Sequence, residues 1–232
     1  MTKNKTSLTA KLPRAIIFDW DNTLVDTWPL IHLSINKTMR FMDRDEWSFE
    51  EVKQKIHKSM RESFPDLFGD DWEKAGEVYL KSYWENNLTN LQLLDGATNI
   101  LEFFRQNNIA QFIVSNKLGK TLRQECDALE ISHYFSKAIG SHDAKKDKPN
   151  PDPVWLALDG SNINPKKDLI WFIGDTIADI DCALNTNCQP ILFGNGTGID
   201  PALIEELKKR EEKPLLQFLD HFHFLNKIIS KE

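Results

Sequence analysis

Residues 15–28 read AIIFDWDNTLVDTW. The apolar run Ile16-Ile17-Phe18 stops at two aspartates, Asp19 and Asp21, with one tryptophan between them. In an extended segment residues i and i+2 share a side. Both carboxylates then face the same way, and Trp20 points away into packing. Two acids at a strand end either cap a turn or open a site, and this stretch alone fits both.

The run is short and does not alternate, which suits a strand buried on both faces. Four similar runs follow: QFIVS (111–115), AIG (138–140), LIWFI (169–173) and PILF (190–193). Segments with helical spacing separate them, among them ATNILEFFRQNN, GKTLRQECDALEI and TIADIDCALNT. Strand and helix in alternation predict an α/β protein with a parallel sheet flanked by helices. Such sheets bind ligands at the carboxyl ends of their strands.

Residues 28–94 break the alternation. PLIHLSINKTMRFM, SFEEVKQKIHKSM and DWEKAGEVYLKSYWENN read as amphipathic helices, and Ser48 with Glu51 forms a capping-box pattern. The expected organisation is a flexible tail at 1–13, a core made of 14–27 and 95–232, and an all-helical insert at 28–94.

The chain of 232 residues carries 29 basic and 35 acidic side chains, a net charge of -6. That balance lacks the basic face of a general nucleic-acid binder. No apolar run reaches the length of a membrane helix, and the first residues lack a secretory signal's apolar stretch. Three cysteines without metal spacing read as reduced thiols, hence a cytoplasmic location. A monomer and a homodimer are both compatible with the sequence.

Polar residues follow the strand runs. Asp19, Asp21 and Thr23 follow the first, and Ser115, Asn116 and Lys117 end the second. Gly174, Asp175, Thr176 and Asp179 follow the fourth, and Lys148 lies in the Pro-rich loop KDKPNPDP. A parallel sheet brings these loops to one edge. Acids, hydroxyls and an ammonium group converging there suit phosphoryl transfer: a carboxylate attacks phosphorus, Mg2+ neutralises charge, and a lysine and a hydroxyl hold phosphate oxygens.

In order, DWDNTLVD, SNK, KPNPDP and GDTIAD resemble the four motifs of the haloacid dehalogenase-like superfamily, over about residues 14–196, with a helical cap between the first two. Within it the chain is most similar to the phosphoglycolate phosphatase group. The resemblance implies a Rossmann-like core and an aspartyl-phosphate intermediate. It makes Asp19 the nucleophile and a metal ligand, Asp21 the general acid/base with its carbonyl on the metal, and Asp175 the third ligand. Ser115 and Asn116 would bind phosphate. Lys148 would pair with phosphate and nucleophile, with Lys145 and Lys146 as rivals. Asn22 stands where the family usually has glycine and should keep the left-handed turn. Thr23 should hydrogen-bond and steady the loop, and Asp179 should orient Lys148 or bind metal-bound water. Arg61 in HKSMRES sits where related caps carry an arginine that reaches substrate. Read without the resemblance, Ser115 caps the next helix, Arg61 is a solvated helix residue, and Lys117 is an exposed charge. His221 and His223 form no ligand pattern and read as surface or core residues.

The expected function is Mg2+-dependent hydrolysis of a small phosphate monoester, phosphoglycolate-like or a sugar phosphate. The alternatives are a beta-phosphoglucomutase-like phosphomutase and a non-catalytic interaction module. The expected partner is a small phosphorylated metabolite, with no nucleic acid and no membrane.

Overall fold

The computed structural model describes residues 12–56, 58–196 and 198–229. Six strands form one parallel sheet: β1 (Ala15–Phe18), β4 (Ala110–Leu118), β5 (Lys137–Ser141), β6 (Ile170–Gly174), β7 (Gln189–Phe193) and β8 (Leu216–Phe218), in the order β5-β4-β1-β6-β7-β8. The opening stretch is therefore an inner strand. Ile17 pairs with Phe112 on one side and Phe172 on the other.

The two faces of β1 enter different cores. Ile16, Phe18 and Trp20 pack with Ile100, Phe104, Leu122 and Phe224 from α5 (Ala97–Gln106), α6 (Gly119–Ala128) and α10 (His221–Ile229). Ala15 and Ile17 pack with Val154, Ala157, Cys182 and Ala183 from α7 (Asp152–Leu158) and α8 (Ile177–Asn185). Both faces are dry, so the run has no reason to alternate. Each fully buried Ile or Phe contributes about 1.5–3 kcal/mol. A third cluster joins Ile180 and Leu192 to Ile204 of α9 (Pro201–Lys208).

The insert contains α1 (Trp28–Phe41), α2 (Phe49–Lys55), α3 (Met60–Phe68) and α4 (Trp72–Asn90). These helices share their own apolar cluster, including Ile31, Ile35, Met39, Val52, Phe64 and Tyr83. Two short antiparallel strands, β2 (Val25–Asp26) and β3 (Gln92–Leu93), pair where the chain leaves and re-enters the sheet domain. Ser48 and Glu51 form the expected capping box.

Three sequence expectations change. SFEEVKQKIHKSM is not one helix, because α2 ends at Lys55 and α3 starts at Met60. The run ending at Ser115 continues to Leu118, and LQF adds an edge strand too short and too exposed to register as a buried run. Of the expected tail, residues 1–11 lie outside the described residues, while Pro13 is buried and Leu12 packs against the core. No helix among the described residues is long and apolar enough to cross a membrane.

Candidate active site

Trp20 shares a cluster with Ile16 and Phe18, so Asp19 and Asp21 fall on the opposite side, as the period-two reading requires. The turn that follows depends on Asn22, which adopts a φ of 58°. Asn tolerates this left-handed region better than most residues. Its side chain does more than tolerate it: Oδ1 accepts hydrogen bonds from the backbone N–H groups of Thr27 (3.2 Å) and Trp28 (3.1 Å). Asn22 thereby satisfies donors at the start of α1, where Thr27 provides no side-chain cap. A glycine would keep the turn and lose those bonds.

Asp19 is buried and accepts a 2.6 Å hydrogen bond from the Lys148 Nζ, which also donates to Asp179 Oδ1 at 2.6 Å. Burial pushes the Asp19 carboxyl well above the ordinary range, only partly countered by Lys148. For Lys148, burial works against the charge, but Asp179 and Asp19 together outweigh it and raise its pKa. The rival Lys145 and Lys146 are exposed. Asp179 turns back to accept from the Thr176 N–H (3.0 Å) and hydroxyl (2.7 Å), closing a capping box at the start of α8. Gly174 permits this return, because a Cβ there would lie 2.2 Å from the Asp179 Cγ.

Carboxylate oxygens of Asp19, Asp175 and Asp179 all lie within 4.8 Å of one another, and the three residues are buried. Hard oxygen donors at this spacing fit a small divalent cation such as Mg2+. The expected set takes the backbone carbonyl of Asp21 rather than a third carboxylate, which leaves the Asp21 carboxylate to face Lys117, whose Nζ donates to Asp21 Oδ1 at 2.6 Å.

Lys117 is therefore not the exposed charge that the sequence suggests. Its side chain is 7% exposed, donates to the Tyr83 hydroxyl at 2.8 Å, and lies 3.4 Å from Glu125 Oε2. Burial opposes its charge, but Asp21, Glu125 and Tyr83 raise its pKa well above normal. Trp20 adds to the same network. Its indole N–H donates to Glu125 at 2.6 Å, so its role exceeds packing. One signal was available in the sequence: Ser115 and Lys117 are two apart on an extended strand and share a side. Nothing local pointed to Glu125 or Tyr83.

The Ser115 hydroxyl is buried and accepts from the Lys117 N–H at 3.2 Å. The Asn116 amide donates to the Lys148 carbonyl at 3.1 Å, so its side chain secures the lysine loop. Thr23 departs from expectation: its hydroxyl has no hydrogen-bond partner among the described residues. The loop is held through its backbone, because the Thr23 carbonyl accepts from buried His221 Nε2 at 2.7 Å.

Burial lowers the His221 pKa to about 4, against an ordinary value near 6.5. Between those values the unfolded chain binds a proton that the folded chain does not. His221 therefore contributes stability above about pH 6.5 that is lost as pH falls toward 4, by about 2–4 kcal/mol. Urea unfolding at pH 7 and pH 5 should show this. His221→Gln keeps a donor for the Thr23 carbonyl without titrating there, and its pH dependence should be flatter. Parallel curves would refute the assignment.

Arg61 is paired within the chain. Its Nε and Nη2 donate to Asp147 Oδ2 (2.7 Å) and Oδ1 (2.5 Å), and Asp147 also accepts from the Ser141 hydroxyl. The sequence placed Arg61 against substrate because it could not show that a buried acid, next to Lys148, lay in reach. The guanidinium instead ties α3 to the lysine loop. Arg61→Ala should therefore lower stability by about 1.5–3 kcal/mol, the loss of a charge-assisted pair, as read by urea unfolding; an unchanged unfolding midpoint would show that the pair contributes nothing.

These groups meet at one end of a cavity of about 140 Å³ between the sheet edge and the helical insert. Asp19, Asp21, Ser115, Lys117, Lys148 and Asp175 line its floor. A parallel sheet with four polar loops at its carboxyl edge, under an inserted helical layer, defines an α/β core with a helical insert over its site. Residues 16–193 match the family model of the haloacid dehalogenase-like hydrolases, and the chain belongs to that family. It is 31% identical over 180 residues to a phosphoglycolate phosphatase of Aquifex aeolicus (strain VF5), covering 77% of this chain and 84% of that protein. It is 28% identical over 180 residues to the pyrophosphatase PpaX of Oceanobacillus iheyensis (strain DSM 14371 / CIP 107618 / JCM 11309 / KCTC 3954 / HTE831), covering 76% and 81%. A solved hydrolase of the same superfamily from Ehrlichia chaffeensis superposes with a TM-score of 0.62 at 32% identity, covering 95% of this chain and 98% of that one.

Proposed function

We propose that the protein is a Mg2+-dependent phosphatase acting on a small phosphate monoester through an aspartyl-phosphate on Asp19. The observation that carries this reading is the buried Lys148 bridging Asp19 and Asp179, with Asp175 in reach of both acids. Asp19, Asp175 and the Asp21 carbonyl would hold the cation, with Asp179 close by. Bound there, Mg2+ would neutralise charge on the phosphoryl oxygens.

The chain's own residues divide the remaining work. An Asp19 oxygen attacks phosphorus, the ester P–O bond breaks, and Asp21 gives the leaving alcohol its proton. Water then attacks the acyl phosphate, Asp21 takes the water's proton, and orthophosphate leaves with Asp19 restored. Lys117 holds Asp21 by one oxygen, fixing its orientation for both transfers. Lys148, Ser115 and the Asn116 backbone hold the phosphate.

The insert at 28–94 acts as the cap and excludes water during turnover. The partner is a small phosphorylated metabolite, and neither nucleic acid nor membrane takes part. The three buried, unbridged cysteines support a cytoplasmic location. The protein works as a monomer or homodimer.

The test is phosphate release from p-nitrophenyl phosphate across a Mg2+ titration, with sugar-phosphate isomerisation as the control for a phosphomutase. Asp175→Ala should raise the half-saturating Mg2+ concentration by at least about tenfold. An unchanged titration midpoint would remove Asp175 from the metal site.

A further inference from the structure

We infer that the cavity takes the organic half of its substrate as a neutral apolar group, a short alkyl chain or a single aromatic ring. This rests on the phosphatase reading and narrows its substrate class.

The cavity has two unlike ends. Its floor is the charged cluster described above. Its roof, from the helical insert, is built by Ile31, Ile35, Ile56, Met60, Phe64 and Leu80. A phosphate on the floor directs whatever is esterified to it into this roof. The whole cavity, charged floor included, measures about 140 Å³, which limits the organic group under the roof to a small one.

A second anion finds no buried, unpaired cation in that space, where the polar groups contributed by Tyr79 and Thr121 are neutral hydroxyls. The cavity is lined by three lysines. Lys148 is held by Asp19 and Asp179, and Lys117 by Asp21 and Glu125. Lys58 is exposed, so water already solvates its charge. Arg61, the cap cation that could have met a carboxylate, is engaged by Asp147 and does not line the cavity. The Ser63 hydroxyl donates to the Ser59 carbonyl. A carboxylate under the roof would lose its hydration without gaining a charged partner, and Asp19, Asp21 and Asp175 would repel it. An alkyl or aryl group gains from the same wall.

Phosphonates test this without confounding by leaving-group reactivity. Binding of methyl-, butyl- and phenylphosphonate and of phosphonoacetate is measured by isothermal titration calorimetry with Mg2+ present. Affinity should rise about fourfold per added methylene, phenylphosphonate should bind at least about tenfold tighter than methylphosphonate, and phosphonoacetate should bind no tighter than methylphosphonate. Phosphonoacetate binding tightest, or a flat alkyl series, would overturn the proposal. Leu80→Lys places a cation in the roof and should reverse the order, favouring phosphonoacetate. If it does not fold, Ile56→Lys makes the same test, and an unreversed order in the folded variant counts against the roof as the organic subsite. The calorimetry needs no turnover. Absence of Mg2+-dependent hydrolysis of p-nitrophenyl phosphate would overturn the phosphatase reading, whereas good hydrolysis with the wrong phosphonate order would overturn only the substrate class.

Discussion

Asp19→Asn is expected to lower phosphate release by at least about 10⁴-fold while the protein stays folded. The amide keeps the shape of the carboxyl but is a poor nucleophile, and losing a nucleophile costs factors up to about 10⁶ in other hydrolases. Folding should survive because the amide fills the same volume and Lys148 keeps Asp179 as its partner. The metal-free melting temperature should stay close to that of wild type. Phosphate release and calorimetry on the same preparation separate the two effects. Activity within about tenfold of wild type would exclude Asp19 as nucleophile.

The parts of this site legible in the sequence are those that obey a local period or a fixed motif. Five strand runs stood out because both faces of the sheet are dry, and Asp19 with Asp21 followed from strand alternation. The left-handed turn at Asn22 was legible through the family resemblance, because Asn stands where glycine is usual and tolerates the same backbone. What escaped depends on partners distant in the chain. Lys117 read as an exposed charge because Glu125 and Tyr83 reach it only after α6 and α4 pack. Arg61 read as a substrate contact because Asp147 is 86 residues away. His221 read only as a surface or core residue, because its grip on the Thr23 carbonyl spans nearly the whole chain. Composition and spacing report what a segment offers, and tertiary packing decides which offer is taken up.

Lys148→Met should damage both activity and stability. The substitution keeps much of the side-chain volume but leaves Asp19 and Asp179, both buried, facing each other without the ammonium between them. Breaking a buried pair by removing one partner typically costs 3–5 kcal/mol, which for a chain of this size corresponds to roughly 6–20 °C in melting temperature. Activity should fall by about 10²–10³-fold, the scale for losing one preorganised donor to a transferring group. A Lys145→Met control should change neither, because that side chain is exposed. A Lys148→Met melting temperature within 2 °C of wild type would show that the two acids do not depend on the lysine.

The position of β1 in the sheet also bears on how the chain is made. Ala15 hydrogen-bonds into strands that begin at Ala110 and Ile170, so the segment synthesised first joins neighbours synthesised much later. At about 5–20 residues per second, a ribosome takes roughly ten to thirty seconds to supply the second neighbour. During that interval Ile16, Ile17 and Phe18 have no sheet to enter. Helices α1 to α4 use contacts among themselves and can condense beforehand. Nascent chains stalled before residue 170 should therefore recruit hydrophobic-binding chaperones to the first strand, and chains released beyond β6 should shed them.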